Sequence, residues 1–106
     1  MSLSQRRYLL DDEIKRVQGD DNVYFQPPEG YKMTGDPRTL YERDSGDTIF
    51  ADNVPYRFME RYKLTVMYTD PDCDLAIRFI EHFPLCRMDR HFVSSNMYHD
   101  VLVLYW

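Results

Sequence analysis

The spacing of apolar residues predicts an amphipathic helix over residues 4–18. Its apolar stripe consists of Leu3, Leu10, Ile14 and Val17. Ser2 and Gln5 have the spacing of a capping box, and Gly19 supplies a stop signal. A helix with one apolar stripe must pack on another element, and a sheet is the simplest partner.

The next part of the chain predicts short strands and turns. Val23–Phe25 and residues 39–43 have β-type sequences, and the proline- and glycine-containing residues 26–30 interrupt regular structure between them. Residues 44–47 read Asp-Ser-Gly-Asp, a turn signal. We therefore expect residues 45–56 to form an exposed loop or a hairpin tip.

Strict alternation of apolar and polar residues predicts a strand over residues 57–69. The inward positions are Tyr62, Leu64, Val66 and Tyr68. Asp70 as N-cap and Pro71 as first helical residue then predict a second helix that ends before Pro84. Its expected buried stripe is Cys73, Ala76, Phe79, Ile80 and Phe83.

Residues 86–93 and 98–106 predict a closing hairpin joined through Ser94-Ser95-Asn96. The last strand is apolar on both faces, so we expect it inside the sheet. Together these elements predict a single α+β domain over residues 1–106. It would have a mostly antiparallel sheet of about four to five strands, with two helices packed against it.

Composition limits the classes of function. The 106 residues carry a net charge of −5, and no apolar run approaches the length of a membrane span. We therefore expect no direct nucleic-acid binding and no membrane segment. With no apolar signal sequence at the N-terminus, Cys73 and Cys86 are interpreted as reduced, half-buried thiols of a protein that is made and assembled inside a cell.

Four groups of residues are candidates for a metal or acid–base site. His82 with Cys86, and His91 with His99 across the closing hairpin, lack zinc-ligand spacing. Asp70, Asp72 and Asp74 lack the glycine and glutamate of a calcium loop. Asp89-Arg90-His91 and His99-Asp100 have no nucleophile motif nearby. The prediction is a non-enzymatic protein with no metal and no cofactor.

One segment has the composition of a protein interface. It mixes apolar, aromatic and charged residues in an otherwise turn-rich region. The candidate interface residues are Asp47, Ile49, Phe50, Asp52, Val54, Tyr56 and Arg57. Their apolar side chains could pack on their own domain or dock on a neighbouring molecule, and the sequence leaves both readings open.

Several segments resemble small structural proteins of long-tailed phages and prophages, the tail terminator or tail completion family. The resemblance covers roughly residues 20–106. Its motifs are Val23-Tyr24-Phe25-Gln26-Pro27-Pro28-Glu29-Gly30-Tyr31-Lys32-Met33, Tyr41-Glu42-Arg43-Asp44, Phe50-Ala51-Asp52-Asn53, the Tyr62-to-Tyr68 strand, Phe83-Pro84-Leu85-Cys86-Arg87-Met88-Asp89-Arg90-His91-Phe92, Asn96 and His99-Asp100-Val101. Residues 34–39 depart from the family pattern, in which an apolar strand follows Met33.

The resemblance implies a ring, commonly a hexamer, that caps the phage tail tube in the virion after assembly in the host cytoplasm. Its partners would be its own copies, the tail tube protein and the head–neck connector protein. The alternatives are a head–tail connector or adaptor, a small soluble regulator or inhibitor that binds one host protein, and a minor enzyme with an unmarked site.

Overall fold

The computed structural model describes residues 2–51 and 54–106, with side chains described throughout except at 45–51 and 54–58. The helices are Leu3–Gln18 (α1) and Leu75–His82 (α2). The strands are Val23–Phe25 (β1), Arg38–Ala51 (β2), Val54–Tyr68 (β3), Cys86–Ser94 (β4) and Met97–Tyr105 (β5). The chain therefore has the predicted α+β fold.

The five strands form one sheet in the order β1-β2-β3-β5-β4. The short β1 runs parallel to β2, and the other three neighbouring pairs are antiparallel. β5 is paired on both sides, which confirms that the apolar last strand lies inside the sheet. The mostly antiparallel sheet with two helices was also predicted correctly.

The core lies between the two helices and one face of the sheet. The inward side chains of β3 are those predicted from its alternation, and each is at least nine-tenths buried. They meet Leu102 and Leu104 of β5 and Tyr41 of β2. From the helices, the core receives Leu10, Ile14, Leu75, Ala76 and Phe79.

Both ends of α1 follow the prediction. The Ser2 hydroxyl accepts a hydrogen bond from the Gln5 backbone, and the Gln5 side chain accepts one from the Ser2 backbone, so the capping box is complete. Gly19 ends the helix with φ of 87°, a left-handed conformation that glycine adopts without a steric penalty. Leu3 was wrongly placed in the buried stripe: it is 47% exposed at the first residue of the helix.

The predicted start of α2 was wrong by about one turn. Asp74, and not Asp70, is the N-cap residue, so Pro71 lies in a turn before the helix. The Asp70 carboxylate instead accepts a hydrogen bond from the Asp72 backbone, and its carbonyl accepts one from Cys73. Aspartate is favoured both in such turns and at helix starts, which is why the sequence pattern was ambiguous.

The turn predicted at residues 44–47 was also wrong. β2 continues through this segment to Ala51, and its pairing with β3 shifts register between Arg43 and Ser45. A β-bulge uses the same small and flexible residues as a turn, but it adds one residue to a strand without reversing it. Of the two readings left open for residues 45–56, the long hairpin is therefore the one observed up to Ala51 and from Val54.

A buried polar joint connects the end of α1 to the start of β2. Gln18 and Thr39 are buried, and the Thr39 hydroxyl donates to Gln18 Oε1 at 2.5 Å. Gln18 Nε2 donates to the backbone carbonyl of Asn22 at 2.9 Å and is 3.4 Å from that of Pro37. One side chain thus contacts polar groups of two segments, the turn after α1 and the start of β2, and no periodicity signal pointed to it.

The second face of the sheet carries neither helix. Met67, Val101 and Val103 are buried on this face, and Lys63 lies opposite Val103 in the strand register. We call this surface the open face. Within residues 2–51 and 54–106, no helix is long and apolar enough to cross a membrane.

We expect Thr39→Val to lower the free energy of unfolding by about 1–3 kcal/mol, because the buried Gln18 carbonyl oxygen loses its donor while side-chain volume is kept. Gln18→Leu should cost more, since several acceptors lose a donor together. Urea unfolding followed by circular dichroism measures both. Thr65→Val on the open face is the control, with a change within about 0.5 kcal/mol; an equal loss there would contradict the assigned role of the joint.

Candidate functional site

The β2–β3 hairpin projects beyond the rest of the sheet. β5 pairs with β3 only from Arg61 onward, and Glu60 exchanges two backbone hydrogen bonds with Trp106. β1 pairs with β2 only as far as Tyr41. Past these points the hairpin has two strands alone, and we call residues 45–51 and 54–59 the arm.

The arm gives the molecule its elongated shape. The described molecule measures 46 × 24 × 24 Å. Seven residues of extended strand span about 23 Å. Both outer edges of the arm carry backbone groups that no third strand in the described chain pairs with. A two-stranded ribbon is only marginally stable in water, so such an element gains most from contact with a further surface.

The candidate interface residues predicted from the sequence fall in this arm. Asp47, Ile49 and Phe50 belong to β2, and Val54, Tyr56 and Arg57 belong to β3; Asp52 lies outside the described residues. Ile49 is directly opposite Arg57 in the strand register. The structure thus brings the predicted residues together on one hairpin, while their side-chain contacts lie outside what it describes.

A groove lies at the base of the arm. An open pocket of about 340 Å³ is lined by α1, the base of the arm, the turn before β4 and the end of β5. A second hollow of about 270 Å³ continues from it onto the open face and shares Pro84, Leu85 and Tyr105 with it. We call the two together the Leu85 groove. Its lining residues are Arg6, Leu9, Met59, Pro84, Leu85, Cys86, Arg87, Val103, Tyr105 and Trp106.

The floor of the Leu85 groove is held by contacts between distant parts of the chain. The Arg6 guanidinium donates to the Trp106 carbonyl at 2.7 Å, and the Trp106 indole donates to the Arg6 carbonyl at 2.9 Å. The Trp106 ring also packs edge-on against Phe83. The backbone of Tyr105 donates to the Leu85 carbonyl at 2.9 Å. The groove is therefore a preformed feature of the folded domain.

The groove is mainly apolar and has positive charge at its rim. Leu9 and Leu85 remain 47% and 43% exposed, which is unusual for leucines that lie side by side in a concave surface. Arg87 has a side chain that is about two-thirds exposed, with Asp89 at 4.0 Å. Such a combination of apolar floor and charged rim is typical of a contact surface.

Sequence reasoning missed this groove, although one signal was present. Leu9 and Leu10 are consecutive, and two neighbours in a helix cannot both face the same side. Since Leu10 belongs to the buried stripe, Leu9 must point elsewhere. The remaining lining residues come from segments that only the tertiary fold brings together.

A polar network forms at the β4–β5 pair. Asp100 is buried, accepts a hydrogen bond from the Tyr68 hydroxyl at 2.8 Å, and lies 2.5 Å from His91 Nδ1. Burial, together with the hydrogen bond to Asp100, raises the pKa of the Tyr68 hydroxyl. The Tyr68 and Tyr98 rings stack at 5.4 Å, and Tyr98 in turn stacks against His91.

The expectation that His91 and His99 face each other was wrong. His91 is opposite Asp100 and His99 is opposite Phe92, so the two imidazoles lie on different faces of the sheet. His82 and Cys86 do not form a common site either. His82 Nε2 lies 2.8 Å from the Glu13 carboxylate, whereas Cys86 lines the second hollow of the Leu85 groove. In the described part of the chain, no group of three or more potential ligands could hold a metal ion.

The His91–Asp100 pair has the orientation of a general base with its carboxylate partner. Such a pair acts in nucleophilic catalysis when a hydroxyl or thiol lies within hydrogen-bond reach of the free imidazole nitrogen. His91 contacts the Asp100 carboxylate through Nδ1 and stacks on the Tyr98 ring. Tyr68 donates its proton to the carboxylate and not to the imidazole. The network therefore has the character of a structural joint between β3, β5 and the edge strand β4.

The two cysteines are half-buried, as the sequence predicts. Burial raises the pKa of the Cys86 thiol to about 11. Because the thiolate is the reactive form, a raised pKa makes Cys86 a poor nucleophile at neutral pH.

We expect Tyr68→Phe to lower the free energy of unfolding by about 1–2 kcal/mol, because the buried Asp100 carboxylate loses one of its donors. Thermal or urea unfolding measures the change. Tyr98→Phe keeps the stacked ring and serves as the control, with an expected change under about 0.5 kcal/mol. Equal effects of the two substitutions would contradict the role given to the Tyr68 hydroxyl.

Cys86 should react slowly with iodoacetamide in the folded protein. At pH 8 its thiolate fraction is expected to be about 10- to 100-fold lower than in the unfolded chain, because the native pKa is higher. Mass spectrometry of peptides alkylated with and without urea gives the two rates separately for each cysteine. The raised native pKa also means that the thiol favours unfolding as pH rises above about 9. Equal rates with and without urea would overturn this expectation.

Comparison with known proteins adds no relative to this picture. We found no match among protein-family models, curated proteins or solved structures. The resemblance to phage tail terminators thus stays a prediction that depends on the sequence motifs.

Proposed function

We propose that this chain is a non-enzymatic virion structural protein that caps a phage tail tube as a ring of identical subunits. In this proposal the ring also joins the tail to the head–neck connector. The sequence motifs carry the resemblance to the tail terminator family, and the arm is a contact element suited to assembly. The protein acts by protein–protein contacts alone.

The observation that carries the proposal is the arm. A ring requires a heterologous contact, in which one surface of each subunit binds a different surface of the next. A hairpin that projects from its own domain and has no third strand is suited to be one of the two surfaces. The same segment contains the apolar and aromatic residues that the sequence marks as interface candidates.

The remaining surface supports the proposal in a second way. The strands at the base of the arm are joined by cross-strand ion pairs, between Lys63 and Glu42 at 3.2 Å and between Arg61 and Asp44 at 3.0 Å. Cross-strand pairs of opposite charge favour one strand register. A protruding element whose base is held in register presents its far end in a defined direction, as a repeated contact between identical subunits requires.

Shortening the arm tests the proposal. Replacing residues 49–57 with Asn-Gly keeps the Thr48–Phe58 pair and closes the hairpin with a two-residue turn. We expect the variant to fold but to lose self-association, in solution and on purified tail tubes, by light scattering and sedimentation. In the phage or prophage that encodes the chain, the variant should produce tails of uncontrolled length.

The control is Glu29→Gln, a surface substitution in the segment between β1 and β2, which should assemble normally. Circular dichroism spectra and unfolding midpoints establish that each variant is folded. Tails of normal length with the shortened arm, or an unmodified chain that stays monomeric even with tail tubes present, would refute the proposed function.

A further inference from the structure

We propose that the Leu85 groove is the receptor for the arm of a second copy of this chain. The inference rests on the proposed function and deepens it, because it names the surface that each arm binds. The contact is head-to-tail: the arm of one subunit lies in the groove of the next, whose own arm is directed to a third.

The chemistry of the groove favours a protein segment over a small polar ligand. Binding sites for small ligands combine an apolar wall with a few convergent polar groups. Two of the polar groups that line the pocket, the Arg6 guanidinium and the Trp106 indole, already donate to each other's backbone carbonyls. What the groove offers beyond that is apolar surface, from Leu9 and Leu85.

The charges of the two surfaces are complementary. The hairpin from Ser45 to Met59 contains Asp47, Asp52 and one cation, Arg57, so it is net acidic; its apolar residues include Ile49, Phe50 and Val54. The exposed cation at the rim of the groove is Arg87, 4.0 Å from Asp89, while Arg6 lines the interior and donates to the Trp106 carbonyl. An apolar segment with acids matches an apolar groove with a cation at its rim, and opposite charges also favour the correct docking orientation.

The placement of the two surfaces suits a chain of contacts that closes. Met59 lines the groove at the point where β3 enters the arm, so each subunit has its receptor at the base of its own arm. The arm leads away from that base, which leaves the groove of the same molecule to a different arm. When every subunit offers both surfaces, head-to-tail contacts repeat from one subunit to the next, and a rotation between neighbours that closes gives a ring.

The test uses two variants of the full chain, each with one surface disabled. Leu85→Glu places a charge in the groove, and Phe50→Asp places one in the arm. Each alone should weaken self-association at least about 30-fold, as expected for the loss of a central contact residue. Mixed in equal amounts they should form heterodimers and nothing larger, because only one intact arm and one intact groove meet.

Sedimentation velocity measures the size of the assemblies. It is applied to the unmodified chain, the single variants and the mixture, in solution and on purified tail tubes. Val93→Glu is the matched control: this residue is exposed and apolar on the same strand β4, at the end away from the groove. It should assemble like the unmodified chain. Circular dichroism and unfolding midpoints check that every variant is folded.

Specific outcomes overturn the inference. If Leu85→Glu forms normal rings, or if the mixture gives no heterodimer, the arm does not bind this groove. If Leu85→Glu forms rings but no longer binds tail tubes, the groove receives the tube protein, and the proposed function stands without this inference. If the unmodified chain never self-associates, even on tubes, both the inference and the proposed function fail.

Discussion

Burial of the inward face of β3 is the constraint on which the other elements depend. This strand pairs with β2 on one side and β5 on the other, and its alternate side chains Tyr62, Leu64, Val66 and Tyr68 all enter the core. A one-residue slip would turn every one of them to the open face. Both helices pack against the apolar surface that this strand and β5 create, so its register fixes where α1 and α2 lie.

The same strand also accounts for the projecting arm. β3 has 15 residues, whereas β5 has nine, so the six residues of β3 before Glu60 extend past the last neighbour that could join them to the core. Beyond that point the two-stranded arm depends on its own pairing. The core therefore determines the fold of the domain but gives the arm little support. An element of this kind is consistent with a stability that is completed by a partner, as the proposed ring supplies.

The sequence predicted those parts of the fold that local patterns encode. The alternation in β3, the apolar run in β5 and the capping box of α1 each depend on neighbouring residues, and each was predicted correctly. The failures involve residues with two roles: the aspartates at 70–74 suit both a turn and a helix start, and the small residues at 44–47 suit both a turn and a bulge. The buried Gln18–Thr39 joint and the Leu85 groove could not be predicted, because their members are far apart in sequence. The residues of the arm were singled out as interface candidates from composition, but its length was not predicted, because it depends on where the pairing of β3 with β5 ends.

The edges of the sheet help to explain why contacts would be directed to the arm. β4 is an edge strand along its whole length, but it contains a register shift at Asp89 and exposes Arg87, Asp89 and Arg90. Bulges and charges on an edge discourage pairing with another sheet. β1, at the opposite edge, has three residues, too few to recruit a long partner strand. With both edges of the body protected in this way, the unpaired edges of the arm and the apolar Leu85 groove are the described surfaces best suited to the head-to-tail contact that the proposed ring requires.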